Sequence, residues 1–227
     1  MAHEQPSSIG IIMDGNRRYA RKHGMRPEEG HRAGYDMFQQ VLQWLSAYGH
    51  VTHIIFYTFS TENWKRSEAE VKALLSLFRT ALKEQVSIAH EQQTRVRFIG
   101  NRAAMPADIQ EAMRDIERET DQYQRTVSLA VGYGGRTDIV HAVNQLLTAG
   151  VQEVDEATFA NALWTAPIPD PDLIIRTGGA RRLSNFLPWE SVYSELAFTD
   201  TLWPEMSQEK LAEILDDYSS RTRRFGA

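Results

Sequence analysis

"VTHIIFYTFSTENWKRSEAEV", residues 51–71, changes character part-way along. Residues 51–59 are β-branched and aromatic, the composition of a strand. Ser67 followed by Glu70 is a capping-box pattern, which predicts a helix running to about Gln92. Between the two lie Ser60, Thr61, Glu62, Asn63, Trp64, Lys65 and Arg66. A strand that hands over to a helix through one short polar connection is half of a βαβ unit. The end of such a strand is where a rigid scaffold presents reactive groups.

Working outward, the same alternation covers the chain. "IGIIM" (9–13) reads as a buried strand, and apolar residues at helix spacing predict a helix from about Arg32 to Tyr48. Strands are expected at 95–100, 126–133, 172–177 and 195–198. Helices are expected after Pro106, over 137–150 with Gly150 as its stop, near 155–163, and from Ser207 to Arg221. Strands separated by helices imply an α/β fold with a central, mostly parallel sheet of about six strands. No linker, repeat or low-complexity tract interrupts it, so residues 1–227 read as one domain. In such sheets ligands bind outside the carboxyl ends of the strands.

Bulk composition narrows the function. The 227 residues are 42% hydrophobic and 24% charged, enough for a sizeable core. A net charge of -5 argues against a general nucleic-acid binder, which needs a basic field. With no cysteine there is no disulfide, thiolate metal site or thiol nucleophile, and a cytoplasmic setting is the simplest expectation. The N-terminus lacks signal-peptide regions, and no apolar run approaches the ~20 residues that span a bilayer. Peripheral membrane contact stays open.

The strand ends carry one kind of chemistry. "MDGNRRYARKHG" places Asp14 after the first strand, Gly15 at a tight turn, and Asn16, Arg17 and Arg18 at a helix start. Guanidinium groups grip phosphate through paired hydrogen bonds, and an acid beside phosphate can hold Mg²⁺. By themselves these residues also fit a solvated turn. His31 lies between Gly30 and Gly34, and a lone histidine is as often structural. Ser60 and Asn63 supply hydrogen bonds and Arg66 a cation, whereas Trp64 suits a core equally well. "GYGGRTD" (132–138) reads as a turn and helix start. Arg176 closes an apolar strand and is followed by Gly178, Gly179, Arg181, Arg182 and Ser184. A charge there needs a partner. That partner is a bound phosphate, or else Asp170 or Asp172. The sum is many anion donors, few acids and no nucleophile–base pair, which points to a diphosphate site with one or two metal-binding carboxylates.

Taken together, "MDGNRRYA", "GHRAG", "FSTENWKRSEAEV", "GYGGRTDI", "DLIIRTGGARRLSNFLPWESVYSELAF" and "RRFG" resemble the cis-prenyltransferase family. The matches run in order over nearly the whole chain. The resemblance implies a homodimeric, Mg²⁺-dependent enzyme that condenses isopentenyl diphosphate with an allylic diphosphate into a polyprenyl diphosphate of undecaprenyl type. It implies Asp14 and Asn63 as catalytic, and Asp14 and Glu195 as metal ligands. Gly15, Asn16, Arg17, Arg18, Tyr19 and His31 would cradle the allylic diphosphate. Ser60, Thr61, Glu62, Trp64 and Arg66 would lie beside the reacting centre. Arg176, Arg182, Leu183 and Ser184 would hold isopentenyl diphosphate. Arg224 and Gly226 resemble an element that reaches the partner's site, and some apolar residues of the 67–92 helix would line a product tunnel. Arg17, Tyr19, Pro27 and Ala180 depart from the usual pattern. Product length and primer stay open.

Three other readings compete. A phosphatase with an Asp after a buried strand needs a second Asp two residues on, and position 16 is Asn. A non-catalytic partner subunit would lack Asp14 and its basic neighbours. A plain binding module does not require two anion sites plus a metal carboxylate.

Overall fold

A computed structural model describes residues 5–221. Six strands form one all-parallel sheet. In chain order they are β1 (Ser8–Ile12), β2 (His53–Ser60), β3 (Thr94–Ile99), β4 (Arg125–Tyr133), β5 (Leu173–Arg176) and β6 (Glu195–Phe198). The helices are α1 (Asn16–Lys22), α2 (Pro27–Ser46), α3 (Glu68–Glu91), α4 (Ala107–Glu119), α5 (Gly135–Thr148), α6 (Glu156–Ala162) and α7 (Gln208–Ser220). The expected α/β fold is therefore the observed one, with its elements close to their predicted bounds.

The spatial order is β3-β4-β2-β1-β5-β6. From β1 the chain first builds outward through β2, then later continues on the other flank through β5. β1 is thus the reversal point, where the carboxyl ends leave a crevice between diverging loops. Parallel register sets Ile12 beside Tyr57 on one side and beside Arg176 on the other.

Strand alternation divides the core. Ile9, Ile11, Ile54, Phe56, Val127, Leu129, Leu173 and Ile175 face the cluster shared with α2, α4 and α7. Ile12, Ile55, Ala130 and Ile174 face the other way, against Ile168, Phe186 and Leu187. Both faces are buried, as all-parallel sheets require. α2 begins five residues before its expected start. Pro27 supplies a preset first turn, and the Glu29 side chain accepts from the Arg26 N–H at 2.8 Å.

α3 differs from α2. It buries only Leu82, Gln85 and Ala89, whereas α2 buries six side chains, including Phe38, Val41, Leu42 and Leu45. Ser67 caps α3 by accepting from Glu70 N–H at 3.4 Å. Among the described residues no helix is long and apolar enough to cross a membrane.

Beneath the second face lies a buried acid pair. Asp138 Oδ1 accepts from Trp164 N–H at 2.8 Å, and Glu190 Oε1 accepts from the Thr165 hydroxyl. Asp138 Oδ2 and Glu190 Oε2 are buried without partners. Burial pushes Asp138 up to about 7, opposed by the Trp164 N–H and reinforced by Glu190. The native state therefore binds a proton that the unfolded chain has released. Its stabilising effect is complete below the ordinary carboxylate range and fades as pH rises to about 7. Asp138→Asn is expected to flatten that fall; urea unfolding across the window checks it, and an unchanged pH slope would contradict the assignment.

Candidate functional site

Asp14 leaves β1 at the crevice, and its backbone is pinned. Its N–H donates to Thr177 Oγ1 at 3.0 Å, while its carbonyl accepts from the Thr177 hydroxyl at 2.8 Å and from Trp203 N–H at 3.1 Å. Gly15 takes φ 126°, and a Cβ there would meet Leu202 Cα at 2.9 Å, so only glycine turns the chain here. The half-buried carboxylate receives a cation on each oxygen. Arg18 Nη2 is 3.1 Å from Oδ1, and Arg176 Nη2 is 3.0 Å from Oδ2.

Arg176 is 4% exposed. Its Nη1 donates to the Arg182 carbonyl and to Ser184 Oγ, the latter at 2.7 Å, and its buried Nε has no partner. The acidic partner is Asp14, not Asp170 or Asp172, the alternatives to a bound phosphate. Asp172 instead accepts from Ser7 and Ser8. Strand pairing explains the difference: Asp172 sits at the opposite end of β5, whereas β1 and β5 end together.

After β2 the chain makes a short 3₁₀ turn, Thr61–Lys65. The Ser60 N–H donates to Asn63 Oδ1 at 3.0 Å. This fixes the amide with its oxygen inward and leaves Nδ2 to donate elsewhere. Arg66 Nη1 lies 2.7 Å from Glu70 Oε1, on the first turn of α3. The same oxygen is 3.7 Å from His31 Nε2 and 3.8 Å from Arg17 Nε. Burial, then the Arg66 charge, lowers the His31 pKa, opposed by Glu70.

Three hollows meet here. A polar cleft of about 540 Å³ runs along Asp14, Arg17, Arg18, Arg21 and Arg66. A second, about 250 Å³, is lined by Asp14, Ser60, Asn63, Arg66, Arg176 and Ser184. An apolar cavity of about 130 Å³ lies between α2, α3 and the sheet, against Phe38, Leu74, Phe78, Ala81 and Leu82. Met13, Asn16 and His31 line all three. Asn16 Oδ1 is buried there without a partner. Such a site can hold two anionic heads side by side with an apolar chain leading away.

A metal fits on one condition. Among the described residues no three His, Cys, Asp or Glu side chains converge. Mg²⁺ commonly takes one or two carboxylates and completes its shell with substrate oxygens and water. Asp14 supplies one carboxylate, but Arg18 and Arg176 flank it. An added cation is tolerated only when anionic oxygens arrive with it.

Some predicted residues lie elsewhere. Glu195 opens β6 and pairs with Leu173, at the amino edge of the sheet, while Arg176 and Phe198 share the carboxyl edge. It is 2.7 Å from Arg221 Nη1. It lies at the opposite edge of the sheet from the same chain's Asp14. Arg182 offers its carbonyl and turns an exposed side chain outward. Tyr19 packs against His23 at 4.4 Å between ring centres. Trp64 is partly exposed, edge-on to Phe59 at 4.9 Å. Leu183 packs on the second-face core. Thr61 and Asn185 both donate to Glu62. Arg224 and Gly226 lie outside the described residues.

Sequence reading missed Tyr57, which lines the second cleft and donates to the Ser184 carbonyl, together with Glu70, Thr177 and Asn185. Asn185 takes φ 67° and ties the Arg176 loop to α5, its Oδ1 accepting from Arg136 N–H at 2.8 Å. Its place beside Ser184 in "LSNF" was the available signal, since asparagine tolerates that conformation.

Known proteins give the same picture. The Prenyltransf family model, described as "Putative undecaprenyl diphosphate synthase", matches residues 12–226. An isoprenyl transferase of Treponema denticola is 41% identical, covering 96% of each chain. A tritrans,polycis-undecaprenyl-diphosphate synthase (geranylgeranyl-diphosphate specific) of Methanopyrus kandleri is 42% identical over 97% of this chain and 84% of its own. The crystal structure of lavandulyl diphosphate synthase from Lavandula x intermedia, in complex with dimethylallyl diphosphate, superposes with a TM-score of 0.93 and 32% identity. It covers 98% of this chain and 99% of that one.

The α1–α2 contact behind the clefts is testable by two glycines. A Cβ on Gly30 would meet the Asn16 carbonyl oxygen at 2.3 Å, whereas one on Gly34 would meet only the Asn16 side chain, at 2.5 Å. Backbone cannot swing aside, so Gly30→Ala should cost about 1–3 kcal/mol and Gly34→Ala less. Chemical denaturation ranks them, and the reverse order would contradict this packing.

Proposed function

The chain belongs to the undecaprenyl diphosphate synthase family of prenyltransferases, and from that membership we propose that it is a Mg²⁺-dependent cis-prenyltransferase with a single catalytic domain. It adds isopentenyl diphosphate to an allylic diphosphate. The observation that carries this reading is the Asp14–Arg176 pair, whose carboxylate lines two polar clefts that share Met13, Asn16 and His31 with one apolar cavity. The Lavandula structure, bound to dimethylallyl diphosphate, supports an allylic diphosphate as one substrate.

In this reading the allylic diphosphate lies along Asp14, Arg17, Arg18 and Arg66, with its chain in the apolar cavity. Isopentenyl diphosphate lies on Arg176 and Ser184. Two diphosphates repel, so separate guanidinium sets are needed. As the allylic C1–O bond breaks, charge grows on the departing diphosphate, and Arg17, Arg18 and Arg66 stabilise it. Mg²⁺, held by Asp14 and diphosphate oxygens, would add Lewis-acid charge at the same place. The alkene of isopentenyl diphosphate then bonds to C1, helped by being held in reach. A proton leaves its C2. A neutral amide is too weak a base to take it, and in this reading Asn63, whose Oδ1 accepts the Ser60 N–H, is not the acceptor. Its Nδ2 positions substrate, and a diphosphate oxygen or water takes the proton.

For product length the name of the Methanopyrus relative supports an undecaprenyl-type chain. A second reading, a short product, is favoured by the small cavity of about 130 Å³ and by the likeness to lavandulyl diphosphate synthase. A long product requires the cavity wall to part, and α3, with three buried side chains, is the wall that yields. A homodimer is also proposed. Exposed Val140, Val143 and Leu147 recur at helical spacing on α5 and offer an apolar face to a second copy. Residence is proposed to be cytoplasmic, with a lipid product drawing the enzyme to the membrane surface.

Incubation with labelled isopentenyl diphosphate, Mg²⁺ and a panel of allylic primers tests activity, metal need and product length together. Asp14→Ala is expected to lower kcat/KM by about a hundredfold or more, the scale of losing one transition-state contact. Excess chelator should stop wild-type turnover, and full activity in chelator would overturn the metal. Ala81→Leu, which narrows the cavity, should shorten the product on chromatography. Unchanged length would remove the cavity from the product path.

A further inference from the structure

Glu70 sits where an anion-binding site should not have an acid. Its side chain is 16% exposed, and its Oε1 lies 2.7 Å from Arg66 Nη1, 3.7 Å from His31 Nε2 and 3.8 Å from Arg17 Nε. Those three residues line the polar cleft, while Glu70 stands outside its lining. A carboxylate so placed does two opposed things. It offsets the repulsion among Arg66, Arg17 and any proton on His31, which keeps the empty site assembled. It also repels an incoming anion, or must give up Arg66 to it.

Arg17 is 61% exposed and loosely held, 3.8 Å from Glu70, so it can turn toward a ligand at little cost, and Arg18 is tied to Asp14 and the Gly178 carbonyl rather than to Glu70. Arg66 has its one ion pair among the described residues with Glu70, on the less exposed side. The conflict therefore falls on the Arg66–Glu70 pair. Linkage makes it reciprocal: what Glu70 contributes to the empty site is subtracted from diphosphate affinity.

We propose that Glu70 is an internal competing anion, which holds Arg66, His31 and Arg17 in place when the cleft is empty and weakens their grip on diphosphate. The proposal rests on the reading of the cleft as a diphosphate site. Its use lies in turnover. Each condensation leaves inorganic pyrophosphate among these cations, and a standing competitor hastens its departure before the next primer binds. Glu70 is thus a positioning residue, acting through Arg66.

Calorimetric titration of inorganic pyrophosphate into the full chain, with Mg²⁺ present, decides it. Wild type, Glu70→Asp and Glu70→Gln should bind with rising affinity in that order. The glutamine variant should bind about tenfold tighter, within the usual range of site-to-site coupling. Its KM for the allylic substrate and its kcat should fall together, because product release slows. A strut for Arg66 predicts the opposite order, and equal affinities mean no role; either result overturns the proposal. If Glu70→Gln does not fold, Glu70→Asp alone decides, since withdrawing the charge by one methylene must still raise affinity. Failure of pyrophosphate to bind any of the three would overturn the diphosphate reading along with it. Binding without the predicted order overturns only the role of Glu70.

Discussion

A guanidinium buried at the end of a strand has to meet a negative charge, and that requirement organises the centre of this molecule. Arg176 is nearly inaccessible, and stranding its charge would cost several kcal/mol. β1 and β5 pair in parallel and finish level, so Asp14 is the acid in reach. Such a pair contributes little net stability compared with apolar packing. Its value is positional. It places a carboxylate, flanked by cations on both oxygens, at the reversal point of the sheet.

The surroundings extend that balance. The loop after Arg176 runs through Ser184, Asn185 and Leu187 at positive φ, a conformation that costs energy for residues with a Cβ. Asn185 holds it there through the start of α5 and through Glu62. On the opposite side Ser60 and Asn63 lock the turn after β2. Rigid turns and paired charges fix the polar half of the site, while α3, weakly buried, forms the adaptable apolar half. One scaffold thereby combines a firm seat for charged heads with a wall that accommodates a hydrocarbon chain.

Much of this was legible in the residues. Asp14, Ser60, Asn63, Arg66 and Arg176 all follow apolar strands, and polar groups at carboxyl ends of parallel strands converge in space. All five line one cleft. Glu195 shows the same rule in reverse. It is the first residue of its strand, so a parallel sheet sends it to the far edge, where Arg221 receives it. Glu70 was hidden because a capping pattern already accounted for it. Tyr57 was hidden among other strand aromatics. Asn185 was hidden because backbone conformation, not composition, makes it matter.

By itself the sequence determined the alternation of strands and helices and the carboxyl-end placement of the reactive groups. Periodicity and turn chemistry act over a few residues, so they can be read locally. Only the tertiary structure decided that β1 lies between β2 and β5, that Arg176 meets Asp14 rather than a nearer aspartate, and that one glutamate joins two arginines and a histidine. Those outcomes depend on strand order and register. Both are settled by burying the whole sheet at once, a global condition that no short stretch of chain encodes.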